Sequence, residues 1–328
     1  MTSVLSGFHR IHRRLAVASL GFFIGVVFLC SPAGATPQPA PGADPIQQFA
    51  PGKPGSGRKL DHSHWAAILD AVVVTDARTG RRQIDYGRLN NTGSELLDRY
   101  IRVLQKIRVT SLNNREQLAY WLNFYNAASL RFVIEEFRRM HGVQGEFASR
   151  NPWSGKKLKV ERFYLGKNNP WKEQSFTVEG SRLSLNDIEH RILYALWDNP
   201  LVMYGLSCPA RGCPTLQPEP FVAEAVEAQL KLAAREFAGR RDCVQVKGGR
   251  LEVSSLYVWH GDLFGGETGV LSHLRETTGP QVSGALAGIG EIHDDDFNWR
   301  LNGKAPPKAW ALPQGSVRRE SPPRSLNR

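Results

Sequence analysis

Residues 113–142 read NNREQLAYWLNFYNAASLRFVIEEFRRMHG, and the architecture follows from them. Asn113 with Glu116 three residues later is a capping-box-like start, and Gly142 is a stop signal, so the stretch predicts a helix running to about Met140. From Leu118 to Ile134 it is apolar on nearly all sides. That pattern predicts burial within the protein, while the Asn and Arg residues among the apolar ones argue against a membrane span. Asn123 and Asn126 are i, i+3 neighbours on one face. Buried amides left without partners cost about 1–3 kcal/mol each, so this pair is expected either to hold nearby backbone in place or to line a polar pocket.

Shorter elements flank this helix on both sides. Trp65, Ile68, Leu69 and Val72 form one amphipathic stripe, Ile84-Asp85-Tyr86 has the pattern of a strand, and Ser94 is placed to cap a helix whose buried face is Leu97, Tyr100, Ile101, Leu104 and Ile107. Downstream, Gln174 to Val178 and Arg182-Leu183 read as strands around a Gly180 turn. Ser184 with Asp187 opens a helix carrying Ile188, Ile192, Leu193 and Leu196, which Pro200 ends. The apolar run Leu201 to Leu206 has the length of a buried strand. Pro218-Glu219-Pro220 opens a helix striped by Val222, Val226, Leu230, Ala233 and Phe237 and closed by Gly239. Cys243 to Val246 and Leu251 to Val253 flank Gly248-Gly249 as a hairpin. The expected fold is therefore α+β: one helix-rich domain with a long buried central helix and small antiparallel β-hairpins.

The chain has 328 residues, 41% of them hydrophobic and 9% aromatic, which is enough for a globular core. Arg10, Arg13 and Arg14 precede an apolar run from Leu15 to Leu29 and then Ala33-Gly34-Ala35, the form of a secretory signal peptide. The expected division is a signal peptide over 1–35, a Pro/Gly-rich linker over 36–59, the globular domain over 60–302 and a basic disordered tail over 303–328. The expected location is the periplasm or the extracellular space.

The formal charge of +11 is unevenly spread. The signal segment holds three of these charges and the tail a net five, which leaves +3 on the rest, too little to suggest a specific nucleic-acid partner. Membrane contact is expected at most through the signal segment or the tail. No partner is indicated beyond a small-molecule or envelope-polymer substrate.

Residues 184–216 hold the densest set of reactive side chains: Glu189, His190, Cys208 and Cys213. One reading is catalytic. A free thiol has a pKa near 8.5 and needs a neighbouring imidazolium or a helix N-terminus to become a thiolate, so Cys213 would attack and His190 would act as its base. Adjacent helical side chains point about 100° apart, so Glu189 is not expected to orient His190 and would work independently in catalysis, as an acid or a substrate contact. Asn123, Asn126 or Asp262 are the candidates for that task. The other reading is a Cys208–Cys213 disulfide in an exported protein, with Cys243 left buried in a strand. A metal site from His190, Cys208 and Cys213 lacks an obvious fourth ligand, so neither metal nor cofactor is expected. Phosphate-binding glycine loops, G-x-S-x-G and H-E-x-x-H are all missing from the chain.

Several separated segments resemble the domain of unknown function 547 family. Trp121, Asn123, Tyr125 and Asn126 resemble its W-x-N-x-Y-N signature, and Ser184, Leu185, Ile188, Glu189 and His190 its S-L-x-x-I-E-H signature. Cys208, Cys213, Pro214 and Leu216 resemble its C-x4-C-P-x-L segment. Trp259, Asp262 and Phe264 loosely match W-x-x-D-F, and Trp299, Leu301 and Asn302 match W-x-L-N. Order and spacing agree from about Leu60 to Asn302. Members often carry a histidine where this chain has Met203, and serines where it has Ala210 and Gly212. The resemblance implies a shared domain and cleft and says little about a reaction. The functional expectation is an exported cell-envelope protein acting as a cysteine-dependent hydrolase or acyl transferase; the alternative is a non-catalytic binding or assembly protein with a structural disulfide.

Overall fold

The computed structural model describes residues 44–51, 57–89, 91–142, 160, 169 and 171–304. The expected signal peptide, most of the linker and the tail beyond Lys304 lie outside the described residues. Helices α1 (Ser63–Val72), α2 (Asn91–Gln105) and α3 (Asn114–Gly142) form the first half, with α2 packed on both α1 and α3. Asn113 caps α3 as its position suggests, its Oδ1 accepting from the Glu116 N–H at 3.0 Å. Glu116 does not complete the box; its carboxylate accepts from the Leu60 N–H at 2.7 Å and ties the incoming chain to the helix.

Residues 116–130 of α3 are buried without a break. Trp121, Phe124 and Tyr120 pack ring against ring there, and each such side chain contributes about 1.5–3 kcal/mol by leaving water. Buried residues from Phe49 to Leu301 form one hydrophobic cluster around this helix. Among the described residues no helix is long and apolar enough to cross a membrane.

Three small sheets surround the helices. Strands β1 (Val73–Thr75) and β2 (Arg82–Asp85) pair antiparallel. Strands β3 (Phe176–Val178) and β4 (Ser181–Leu183) form a hairpin whose turn places Glu179 and Gly180 at positive φ. Strands β5 (Val244–Lys247) and β6 (Arg250–Ser254) form a second hairpin, with Gly248 and Gly249 supplying the two positive φ angles that such a turn requires. Two short parallel strands complete the outer sheets: β7 (Asp294–Asp296) on β6 and β8 (Gly303–Lys304) on β2. The exposed Asp294–Asp296 run is thus a strand beyond those expected from the sequence.

Three further expectations are corrected. The α2 helix begins at Asn91, ahead of Ser94, whose hydroxyl instead reaches the Leu89 carbonyl. The run Leu201 to Leu206 is not a strand. Pro200–Gly205 forms a 3-10 helix, capped by Asn199 Oδ1 accepting from the Leu201 N–H, and seated where a Cβ on Gly205 would meet Leu122 and Leu230. Helix α4 (Val226–Ala238) starts several residues after Pro220, leaving Val222 partly exposed. Helix α5 (Ser255–Trp259) then leads through a 3-10 turn at Gly261–Phe264 to α6 (Glu267–Thr277) and α7 (Pro280–Leu286).

Candidate functional site

Ser184 and Asp187 make a reciprocal capping box. The Asp187 N–H donates to Ser184 Oγ at 3.0 Å and the Ser184 N–H to Asp187 Oδ2 at 2.9 Å. What it opens is not a regular α-helix. Asp187–Leu193 is π-helical, continued by a single α-turn at Tyr194–Leu196. Single π-turns recur at functional sites, and the wider turn rotates less from one residue to the next. Glu189 and His190 therefore come closer than an α-helix would bring them, with His190 Nε2 3.8 Å from Glu189 Oε1. That distance is too long for a hydrogen bond.

Both side chains open into a cleft of about 780 Å³, a figure that includes its solvent-open mouth. Tyr125 of α3 and Tyr194 stand beside Glu189. Trp171, Trp259, Phe297 and Trp299 give the cleft aromatic walls, and Met203, Leu206 and the Cys208–Cys213 segment close it. Phe297 and Trp299 pack at 4.5 Å between ring centroids, and Trp259 lies on Phe297 at 4.9 Å. Gly212 makes room for this wall, because a Cβ there would come within 2.6 Å of the Phe297 ring.

The Glu189 carboxylate accepts from the Tyr125 hydroxyl at 2.8 Å and from the Tyr194 hydroxyl at 3.3 Å; Trp171 Nε1 in turn donates to the Tyr125 oxygen at 3.3 Å. Burial raises the Glu189 pKa, opposed by nearby His260 and by the two tyrosine hydroxyls. Burial also lowers His190 to about 4 and, with the Glu189 charge pulling the other way, His260 to about 4. At neutral pH both imidazoles are uncharged and resist protonation. Glu189 is the only carboxylate among the described lining residues, and no lysine or arginine joins it.

The cysteines take the disulfide alternative: Cys208 is bonded to Cys213. In this state Cys213 has no thiol and cannot fill the nucleophile's role set out for it. The bond forms part of the cleft wall, while Cys243 is free, buried and pushed up to about 12 by that burial. Asn123 and Asn126 do not reach the cleft. Asn123 bonds both backbone groups of Phe221, at 2.8 and 3.0 Å, and Asn126 donates to the Gly205 carbonyl and accepts from the Ser207 N–H, both at 2.8 Å. Their task is bracing backbone, in Asn126's case just before Cys208. Asp262 is exposed on its 3-10 turn and lies outside the cleft lining. None of the three orients His190, whose ring instead meets Tyr194 at 5.3 Å and His260 at 5.9 Å between centroids.

His260 is the cleft histidine missing from the sequence-derived candidates. It sits at the C-cap of α5, directly after Trp259 and inside the W-x-x-D-F segment, and that position was the available signal. Among the described residues no group of three or more His, Cys, Asp or Glu side chains is placed to hold a metal ion.

Residues 109–238 match the model of a family described as a protein of unknown function, DUF547, and the chain carries a domain of that family there. The match covers α3, the π-helical segment, the disulfide loop and α4. It stops short of Trp259, His260, Phe297 and Trp299, so one wall of the cleft comes from outside the matched span. No curated protein and no solved structure matches the chain.

Proposed function

We propose that this is an exported cell-envelope enzyme of the hydrolase or transferase class that works by general acid–base chemistry without a thiol. Glu189 is the proton donor and acceptor. The observation that carries this reading is the placement of a single carboxylate, only 17% exposed, at an aromatic cleft, gripped by two tyrosine hydroxyls and flanked by two neutral imidazoles. A carboxyl group whose pKa is raised by burial gives and takes protons more readily near neutrality, and an imidazole that stays neutral offers one hydrogen-bond donor and one acceptor to water or substrate.

The walls favour an uncharged or cationic substrate with a flat apolar face. Among the described residues they contain six aromatic side chains, counting the two tyrosines and leaving aside the two imidazoles, and no lysine or arginine. One carboxylate among the described lining residues is also too few for the paired-carboxylate mechanism of most glycoside hydrolases. Glu189 would take the proton from the attacking water or hydroxyl and return it to the leaving group, while the neutral His190 and His260 would hydrogen-bond the water or the substrate.

The test is a turnover screen over hydrolysable esters, amides and glycosides, run without reductant on wild type, Glu189→Gln and Cys213→Ala. Glu189→Gln should lose at least about a hundredfold in turnover, the scale of one acid–base group. Cys213→Ala should retain turnover. If Glu189→Gln matches wild type, the reading is wrong. Turnover that appears only with reductant and vanishes in Cys213→Ala would restore the cysteine nucleophile. A purely binding protein is the second reading, favoured by the closed disulfide; ligands would then quench the cleft tryptophans with no product formed.

A further inference from the structure

Cys213 and Pro214 line a second hollow, of about 410 Å³ including its open mouth, whose other lining residues do not touch the cleft. Its rim is formed by the β1–β2 turn, with Asp76, Thr79 and Arg81, by Arg82 of β2, and by Arg211, which lies between the two cysteines. The charges here are unevenly spent. Arg81 donates to Asp242 at 2.9 Å and to the Arg211 carbonyl at 3.0 Å. Arg82 is bonded to Glu236 and to Gln217. The Asp76 carboxylate is taken up within its own turn by the N–H groups of Arg78 and Thr79 and by the Thr79 hydroxyl.

Arg211 is different. Its backbone carbonyl is clamped by Arg81 and Arg240, yet its half-buried guanidinium makes no hydrogen bond and no ion pair among the described residues. Arg81 and Arg300 add repulsion, only partly offset by Asp242 and Asp76. A partly desolvated cation without a partner is costly, and a planar fork of N–H donors is the usual grip on a carboxylate or phosphate.

We propose that Arg211, with Arg81 beside it, forms a binding site for an oxyanion, a carboxylate or a phosphate group, in the hollow behind the disulfide segment. The fork of Arg211 supplies two parallel donors and the fold holds its backbone in place. This site is separate from the Glu189 cleft, and neither depends on the other's chemistry.

The experiment is calorimetric titration of the purified protein with inorganic phosphate and, separately, with acetate at fixed ionic strength. Saturable binding of at least one anion is expected, weakened about tenfold or more in Arg211→Gln and less in Arg211→Lys, which keeps charge but loses the fork. The anion that binds more tightly identifies phosphate or carboxylate as the natural group. Binding of neither, or equal binding by Arg211→Gln, overturns the proposal. A second measurement needs no variant: arginine-specific dicarbonyl labelling of wild type, mapped by peptide, should slow at Arg211 and not at Arg300 when the anion is present. Unchanged labelling at Arg211 would also overturn it.

Discussion

The hydroxyl of Tyr125 donates to Glu189 Oε2 at 2.8 Å, joining the buried central helix to the π-helical segment at the cleft. A donor to a carboxylate stabilises its charged form, so this bond restrains the upward shift that burial imposes. Tyr125→Phe should therefore move the Glu189 pKa further up, and Tyr194→Phe should do the same more weakly through its longer bond. The side-chain carboxyl carbon resonance followed against pH reads this directly. A downward movement in Tyr125→Phe would mean that the hydroxyl does not serve the carboxylate.

Acid should unfold this protein earlier than its carboxylates alone would suggest. Burial holds His62, His190 and His260 near 4 in the folded state, against an ordinary 6.5 in the unfolded chain. Between those values the unfolded chain binds protons that the folded one refuses. The stability is thus complete above about pH 6.5 and is lost as pH falls toward 4, by at most about 3 kcal/mol per histidine. Glu189 and Glu116, shifted upward by burial, work the other way and gain as pH falls, but burial lowers His273 too, so they are two groups against four histidines. Melting curves from pH 8 to 4 should show Tm falling steeply below 6.5, with a flatter fall in His260→Asn. A level wild-type profile down to pH 4.5 would refute the assignment.

The elements of the fold and the residues of the site were legible to different degrees. The helix at 114–142, the hairpins at 176–183 and 244–254, and the Ser184–Asp187 box are local patterns of spacing and turn residues, and the sequence states them openly. Glu189 and His190 were visible as reactive neighbours. Their approach to each other was not, because the repeat of Ile188, Ile192 and Leu193 fits an α-helix as well as the wider turn that forms. The run Leu201 to Leu206 reads equally well as strand or helix, and only packing against Leu122 and Leu230 decides it. His260 joins the cleft across a separation of 70 residues from His190, a contact made by tertiary structure alone.

The thiols should be silent in the folded protein. Cys208 and Cys213 are bonded to each other, and Cys243 is buried and pushed up to about 12, so it carries almost no thiolate at ordinary pH. For a chain beginning at Thr36, a thiol reagent at pH 8 should find none in the native state. It should find one after denaturation without reductant and all three after reduction. Cutting so short a loop's bond should cost about 2 kcal/mol on the chain-entropy account, with no gain in turnover. Two fast native thiols would show that the disulfide is absent from the exported protein and would reopen the cysteine mechanism.

Asn126 connects the most readable part of the sequence to the least readable part of the site. Its amide donates to the Gly205 carbonyl and accepts from the Ser207 N–H, so it clamps the chain on either side of Leu206, a cleft residue, one step before Cys208. Asn126→Ala removes both partners and strands two backbone groups in a region closed to water. Each orphan costs about 1–3 kcal/mol, so a loss of about 2–6 kcal/mol is expected in denaturant unfolding. Asn126→Asp keeps the acceptor for Ser207 but turns a carboxylate oxygen toward the Gly205 carbonyl, and it should be destabilised as well. Asn123→Ala strands the two backbone groups of Phe221 instead and should lose comparable stability, although Phe221 lies outside the cleft lining. The pair separates bracing from site geometry. Under conditions where both variants stay folded, Asn126→Ala should weaken ligand quenching of the cleft tryptophans and Asn123→Ala should leave it near wild type. Equal effects would mean that Asn126 supports the fold at large and has no particular hold on the disulfide segment.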